Sequence, residues 1–166
     1  MKELPVAARL FVGAVLAAGV ATFLWFAPHT IANPILFVIL LACSSLASAL
    51  KVSLPLASSG SSTMSVSYAV DVAALLLLGA NETMVVAAAS AWAQCTFRTQ
   101  MRSALHRTLF SMASLVLTVK LAGWVYTLLG GTIIGPGFNL LSIAKPLVGA
   151  ATTYFVINTL TIAPAK

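Results

Sequence analysis

The stretch Met64–Phe97, MSVSYAVDVAALLLLGANETMVVAAASAWAQCTF, is two apolar runs separated by little more than Gly79, Ala80, Asn81 and Glu82. The hydropathy predicts helices over Met64–Leu78 and Thr83–Phe97, and so short a polar break folds them back on each other as a tight hairpin. Each run is nearly free of charge, Asp71 being the exception. Runs of this kind read as membrane spans, for which about 20 apolar residues suffice and fewer serve where neighbouring helices cover the ends.

Working outward, the same pattern recurs on both sides. Upstream lie Val6–Phe26, the turn APHTIANP, and Ile35–Leu50, which stops at Lys51 before the Ser- and Pro-rich loop VSLPLASSGSST. Downstream, RTQMRSALHRT brings Arg98, Arg102, His106 and Arg107 together. A fifth run, Leu109–Leu129, then leads through GGTIIGPGFNLLSIAKP to a sixth, Leu147–Ile162. The expected fold is all-α: one transmembrane helical domain over 1–166, a polytopic bundle of about six spans.

Composition points the same way. Of 166 residues, 60% are hydrophobic and 7% charged, against about 25% charged in a soluble domain. A mean hydropathy of +1.04 leaves more apolar surface than a small globular core can hide, which excludes a soluble enzyme. The net charge of +6 comes from nine Lys and Arg residues scattered near segment ends, a distribution that sets topology and does not form a nucleic-acid stripe. Lys2, Arg9, Lys51, Arg98, Arg102, Arg107 and Lys166 share one side, with Lys145 on the other. Both termini are therefore expected in the cytoplasm of a bacterium, with the chain multi-pass in its inner membrane. The N-terminal apolar run reaches Phe26, too long for a signal-peptide core, and reads as a retained span.

Ionisable groups inside spans are costly and default to functional or mutually paired roles. Two occur, Asp71 and Lys120. At 1.5 Å per residue they lie roughly 10 Å and 16 Å from the cytoplasmic ends of their spans. They are expected to pair, or else Asp71 bonds to Ser67 while Lys120 snorkels to the surface; a ligand or proton site is the alternative. Small polar residues recur at helical spacing: Ser44 and Ser48, Ser67 and Asp71, Ser90 and Gln94, Ser111, Ser114 and Thr118, and Tyr154, Asn158 and Thr161. Each set is expected to turn inward, either as interhelical hydrogen bonds or as the lining of a small polar cavity. The ligand candidates are Asp71, Lys120, Ser67, Gln94 and Asn158. Gly13, Ala14, Ala17, Ala18 and Ala21 form a small-residue face on the first span, suited to close approach by another helix of this chain or of a partner. Trp25, Trp92, Trp124 and Tyr126 read as packing or interfacial residues. Cys43 and Cys95 lack the partners of a metal motif, and His29 and His106 fall at opposite surfaces. No catalytic motif is present. No metal or cofactor is expected; bound lipid is.

From Leu50 to Asn158 the stretches LKVSLP, STMSVSYAVDVAALLLLGANETMVVAAASAWAQCTFR, LHRTLFSMASLVLTV and YFVINT resemble a multi-span membrane domain found at the N-terminus of bacterial GGDEF- and HD-type cyclic-dinucleotide signalling proteins. The resemblance implies a sensor or anchor and assigns chemistry to no particular residue. With the sequence closing at Lys166, a fragment or a shortened relative without the output domain is expected. The layout is also similar to the substrate-binding components of energy-coupling-factor vitamin transporters. Two functions follow as expectations. One is a non-enzymatic membrane module, sensor-like or accessory, whose partners are other integral membrane subunits and lipids, with no nucleic acid. The other is a substrate-binding subunit of a vitamin-type transporter.

Overall fold

A computed structural model of the chain describes residues 6–28, 30–49, 67–97, 105–133 and 140–162. Six helices, and no strand, occur among the described residues: α1 Val6–Phe26, α2 Pro34–Ala49, α3 Ser67–Leu78, α4 Ala80–Phe97, α5 Leu105–Leu128 and α6 Leu140–Ile162. Two apolar stretches, Arg9–Phe26 of α1 and His106–Leu128 of α5, are long enough to cross a membrane, while Pro34–Ser48 and Ser67–Leu78 are apolar but shorter. His29, the loop at 51–62 and the arginines Arg98 and Arg102 fall outside the described residues.

Three boundaries differ from the sequence reading, for one physical reason: a drop in hydropathy marks the edge of an apolar environment, whereas a helix ends where its backbone hydrogen bonds end. Asn81 and Glu82 are not loop residues but the first turn of α4, which begins at Ala80. α5 starts at Leu105 and carries His106 and Arg107 as helical residues. α6 starts at Leu140 and takes in Lys145 and Pro146, the proline fully buried within the helix. Between α3 and α4 a single residue, Gly79, makes the turn. Its φ of 89° lies in the left-handed region that side-chain-bearing residues avoid. Its N–H bonds to Leu75 O at 3.1 Å and its own carbonyl accepts from Thr83 N at 3.2 Å, so it closes one helix and opens the next.

The bundle is organised around α4 and α5. α5 packs on α1, α4 and α6, and α4 packs on α2, α3 and α5. The main core joins Leu75, Met84, Ala87, Val116, Val119, Tyr126, Ile143 and Tyr154 from four helices, and a second joins Phe37 and Leu40 of α2 to Ala74, Leu78 and Val86. Helix α1 is peripheral: only 11% of its apolar stretch is buried. It meets α5 through Val15 against Phe110 and Ala113, with Phe11 and Phe110 rings 6.4 Å apart. Gly19 sits directly on Ala113, so that a Cβ there would lie 2.5 Å from the alanine's own.

The contacts between elements divide the bundle into two ends. At one, the Lys120 ammonium sits over Phe26 and bonds Asn81, and Glu82 bonds the α1–α2 turn. At the other, Gln94 reaches Ser48 and Ser67, and Ser114 reaches Thr161. Arg9 and Arg107, near the starts of α1 and α5, belong to this second end.

Gly19→Leu is expected to detach α1 from α5, lowering stability by about 1–3 kcal/mol through overpacking. Gly13, which faces open space, should accept Leu within about 0.5 kcal/mol. Thermal unfolding of both variants in detergent checks the contrast.

Candidate functional site

Two polar constellations occupy the two ends of the bundle. The first is centred on Asp71, five residues into α3 and 1% exposed. A carboxylate in such surroundings needs donors for both oxygens. Ser44 Oγ of α2 donates to Oδ1 at 2.9 Å, and the Tyr154 hydroxyl of α6 donates to Oδ2 at 2.9 Å. Around this pair the network extends. Ser48, one turn along α2, donates to the Ser44 carbonyl at 2.7 Å. Gln94 of α4 donates from Nε2 to Ser67 Oγ at 3.1 Å and to Ser48 Oγ at 3.4 Å. Tyr68 donates to the Ala151 carbonyl at 3.1 Å and packs edge-on against the Tyr154 ring, centroids 4.7 Å apart.

The i, i+4 spacing of Ser44 and Ser48, of Ser67 and Asp71, and the placement of Gln94 and Tyr154 on their helices bring these side chains to one layer shared by α2, α3, α4 and α6. Ser67, Asp71 and Gln94, three of the residues expected as ligand candidates, thus share one layer. Asn158 lies one turn beyond Tyr154 on α6, half-buried. The expected pairing of Asp71 with Lys120 does not form. Lys120 is at the other end, donating to Asn81 Oδ1 at 2.8 Å with its ammonium 3.5 Å from the centre of the Phe26 ring. Counting residues from Leu109 places the two groups within a lysine stem of each other; α5 begins four residues earlier, at Leu105, which carries Lys120 toward the far end, and α4 and the main core stand between most of α3 and α5. The serine and threonine face of α5 joins no part of the Asp71 layer: Thr118 Oγ1 donates to the Ser114 carbonyl, and Ser114 Oγ donates to Thr161 Oγ1 at 2.9 Å, stitching α5 to α6.

The second constellation is a cavity of about 580 Å³ at the opposite end. Its wall runs from Ala27, Pro28 and Thr30 through Leu75, Leu78 and Gly79 to Asn81, Glu82, Lys120 and Trp124. Glu82 and Asn81 were read from the sequence as turn residues. Their signal was the acidic side chain in the first turn of a helix, where the backbone N–H groups favour it. Glu82 Oε1 accepts from the Ala32 N–H at 3.0 Å, which ties the α1–α2 turn to the start of α4. Glu82 Oε2 is buried and has no hydrogen-bond partner among the described residues. Tyr126, whose hydroxyl donates to the Thr132 carbonyl at 2.8 Å, holds the chain after α5 against the same cavity.

The small residues of α1, Gly13, Ala14, Ala17, Ala18 and Ala21, are all exposed. They turn away from α5, which is gripped by the opposite face. Among the described residues, no three His, Cys, Asp or Glu side chains gather in a way that would hold a metal ion. Neither family models, nor curated proteins, nor solved structures yield a match to the chain.

The Asp71 layer works by accepting hydrogen bonds, which fixes its response to substitution. Asp71→Asn keeps an acceptor for one hydroxyl and should cost about 1 kcal/mol, whereas Asp71→Leu strands both donors and should cost about 3 kcal/mol or more. Tyr154→Phe and Ser44→Ala should each fall near the asparagine variant. Unfolding midpoints in one detergent rank the four.

Proposed function

We propose that the chain is a non-enzymatic, multi-pass integral membrane module that packs against other membrane proteins. The observation that carries this reading is the inverted distribution of polarity. Leu24 and Trp25 of α1, Ile35 of α2, Trp92 of α4, Leu141 and Phe155 of α6 are exposed, between 57% and 84%, while Ser44, Ser48, Asp71, Ser90 and Thr118 are buried at 1% or less. Apolar outside and polar inside is the arrangement that a hydrocarbon surrounding selects. In this reading all six helices cross or enter the bilayer, α2 and α3 reaching across by virtue of their neighbours. The end with Arg9 and Arg107 faces the cytoplasm, in keeping with the excess of basic residues on that side.

Partner packing follows from α1. Helix association in lipid rests on close van der Waals contact, for which small residues are suited. On α1 these residues are exposed, and the helix already has a different face committed to α5. A helix from another subunit laid along Gly13, Ala14, Ala17, Ala18 and Ala21 covers the unoccupied face. In the Asp71 layer both carboxylate oxygens are taken up by the buried hydroxyls of Ser44 and Tyr154, closed off from any substrate, which supports a structural role over turnover. A second reading, the substrate-binding subunit of a small-molecule transporter, draws support from the cavity that Glu82 and Lys120 line.

Ala14→Leu and Ala18→Leu are expected to leave the monomer inserted and as stable as wild type while reducing copurification of a stoichiometric membrane partner by tenfold or more, an effect of about 1.4 kcal/mol. Affinity purification in mild detergent with quantitative mass spectrometry reads it. A partner yield unchanged by both substitutions would refute the role given to this face.

Topology is checked separately. In a chain with Cys43 and Cys95 replaced, an impermeant thiol reagent added to intact cells should label Asn81→Cys and leave Arg107→Cys untouched. The reverse pattern would invert the orientation.

A further inference from the structure

The cavity at the α3–α4 turn contains two groups of opposite charge that do not satisfy each other. Glu82 is 6% exposed; its Oε1 is engaged by the Ala32 N–H, and Oε2 has no partner. Among the described residues no donor reaches Oε2, and a buried carboxylate oxygen without one is costly, which makes it a candidate partner for a donor brought by a ligand. The Lys120 ammonium, in the same wall, donates to the neutral Asn81 carboxamide and lies over the Phe26 face. Three N–H bonds are available to an ammonium, so donors remain for an incoming anionic oxygen. The rest of the wall is chiefly apolar, with Leu75, Leu78, Trp124 and Ile133.

We propose that this cavity binds a small zwitterion: a primary ammonium for which the Glu82 carboxylate turns Oε2, closed to solvent in this structure, into the cavity, joined through a few bonds to a phosphate or carboxylate that reaches Lys120, with the connecting carbons against the apolar wall. A single ion of either sign would leave one of the two protein charges unmatched, whereas a zwitterion matches both and enters without net charge. The volume of about 580 Å³ lies within the range of small-molecule sites, about 300–1,000 Å³, and is far larger than a bare ion needs. Two sources share this chemistry, the ethanolamine headgroup of a phospholipid and a free amino acid or aminoalkyl phosphodiester. The inference rests on the cavity and does not depend on the partner contact of α1.

Trp124 in the cavity wall provides the readout, in a chain where Trp25 and Trp92 are replaced by Phe. In detergent, glycerophosphoethanolamine and L-alanine are titrated against ethanolamine and glycerol phosphate, which each carry charge of one sign only. In nanodiscs, phosphatidylethanolamine is compared with phosphatidylglycerol. A saturable change in Trp124 emission is expected with a zwitterionic probe and not with either control of a single sign. Response to the soluble probes identifies a free ligand, and response confined to phosphatidylethanolamine nanodiscs identifies a lipid headgroup.

Glu82→Gln retains an acceptor for the Ala32 N–H and should preserve the unfolding midpoint, yet weaken the zwitterion by about tenfold or more; Lys120→Met should do likewise. Equal responses to ethanolamine and to the zwitterions, no response in either medium, or undiminished binding by Glu82→Gln at an unchanged unfolding midpoint would overturn the proposal.

Discussion

A carboxylate removed from water stays ordered only where donors are brought to it, and the donors of Asp71 come from two other helices, the preceding one and the last: Ser44 of α2 and Tyr154 of α6. Apolar helix faces made of alanine and leucine slide and rotate against one another at little cost, because one such contact resembles the next. Two hydrogen bonds to opposite oxygens of one side chain do not permit that. A rotation of α6 by one residue, about 100°, would carry the Tyr154 hydroxyl out of reach. Gln94 adds the same restriction for α4 through Ser67 and Ser48. In the membrane setting proposed above, where lipid is as apolar as the helices themselves, such bonds and close packing would decide which helix faces meet.

Against that fixed layer, the small residues set distance. Ala87, Ala88, Ala91 and Ala93 are buried on α4, which lets three neighbours approach one central helix. Gly123 of α5 sits against Ala80 at its start. The large residues are consequently displaced outward, onto the surfaces of α1, α2, α5 and α6. The cores that remain are small, and α1 is held mainly by the Val15, Phe110 and Ala113 cluster.

Hydropathy made the existence and order of the six helices legible, since Val6–Phe26 is reproduced residue for residue and the other apolar runs each contain a helix. It also located the polar layer, because Ser44, Ser48, Ser67, Asp71, Gln94 and Tyr154 are spaced to lie on inward faces. Two things were not legible. Helix starts at Leu105 and Leu140 lie beyond the apolar runs, in residues whose side chains prefer water but whose backbones continue to hydrogen-bond. The partner of Lys120 also escaped, for depth along a span gives one coordinate and a salt bridge needs three. Glu82 shows the converse: its low hydropathy suggested a loop, and only its position in the first turn of α4 shows that it is buried against Ala32.

The one-residue turn at Gly79 leaves no spacer between α3 and α4. Its φ of 89° and the two hydrogen bonds through its own N–H and carbonyl join the last turn of one helix to the first turn of the next, so the two cannot be drawn apart without rebuilding that turn. In the membrane module proposed above, residues 67–97 would enter the bilayer as one hairpin and not as two separate helices.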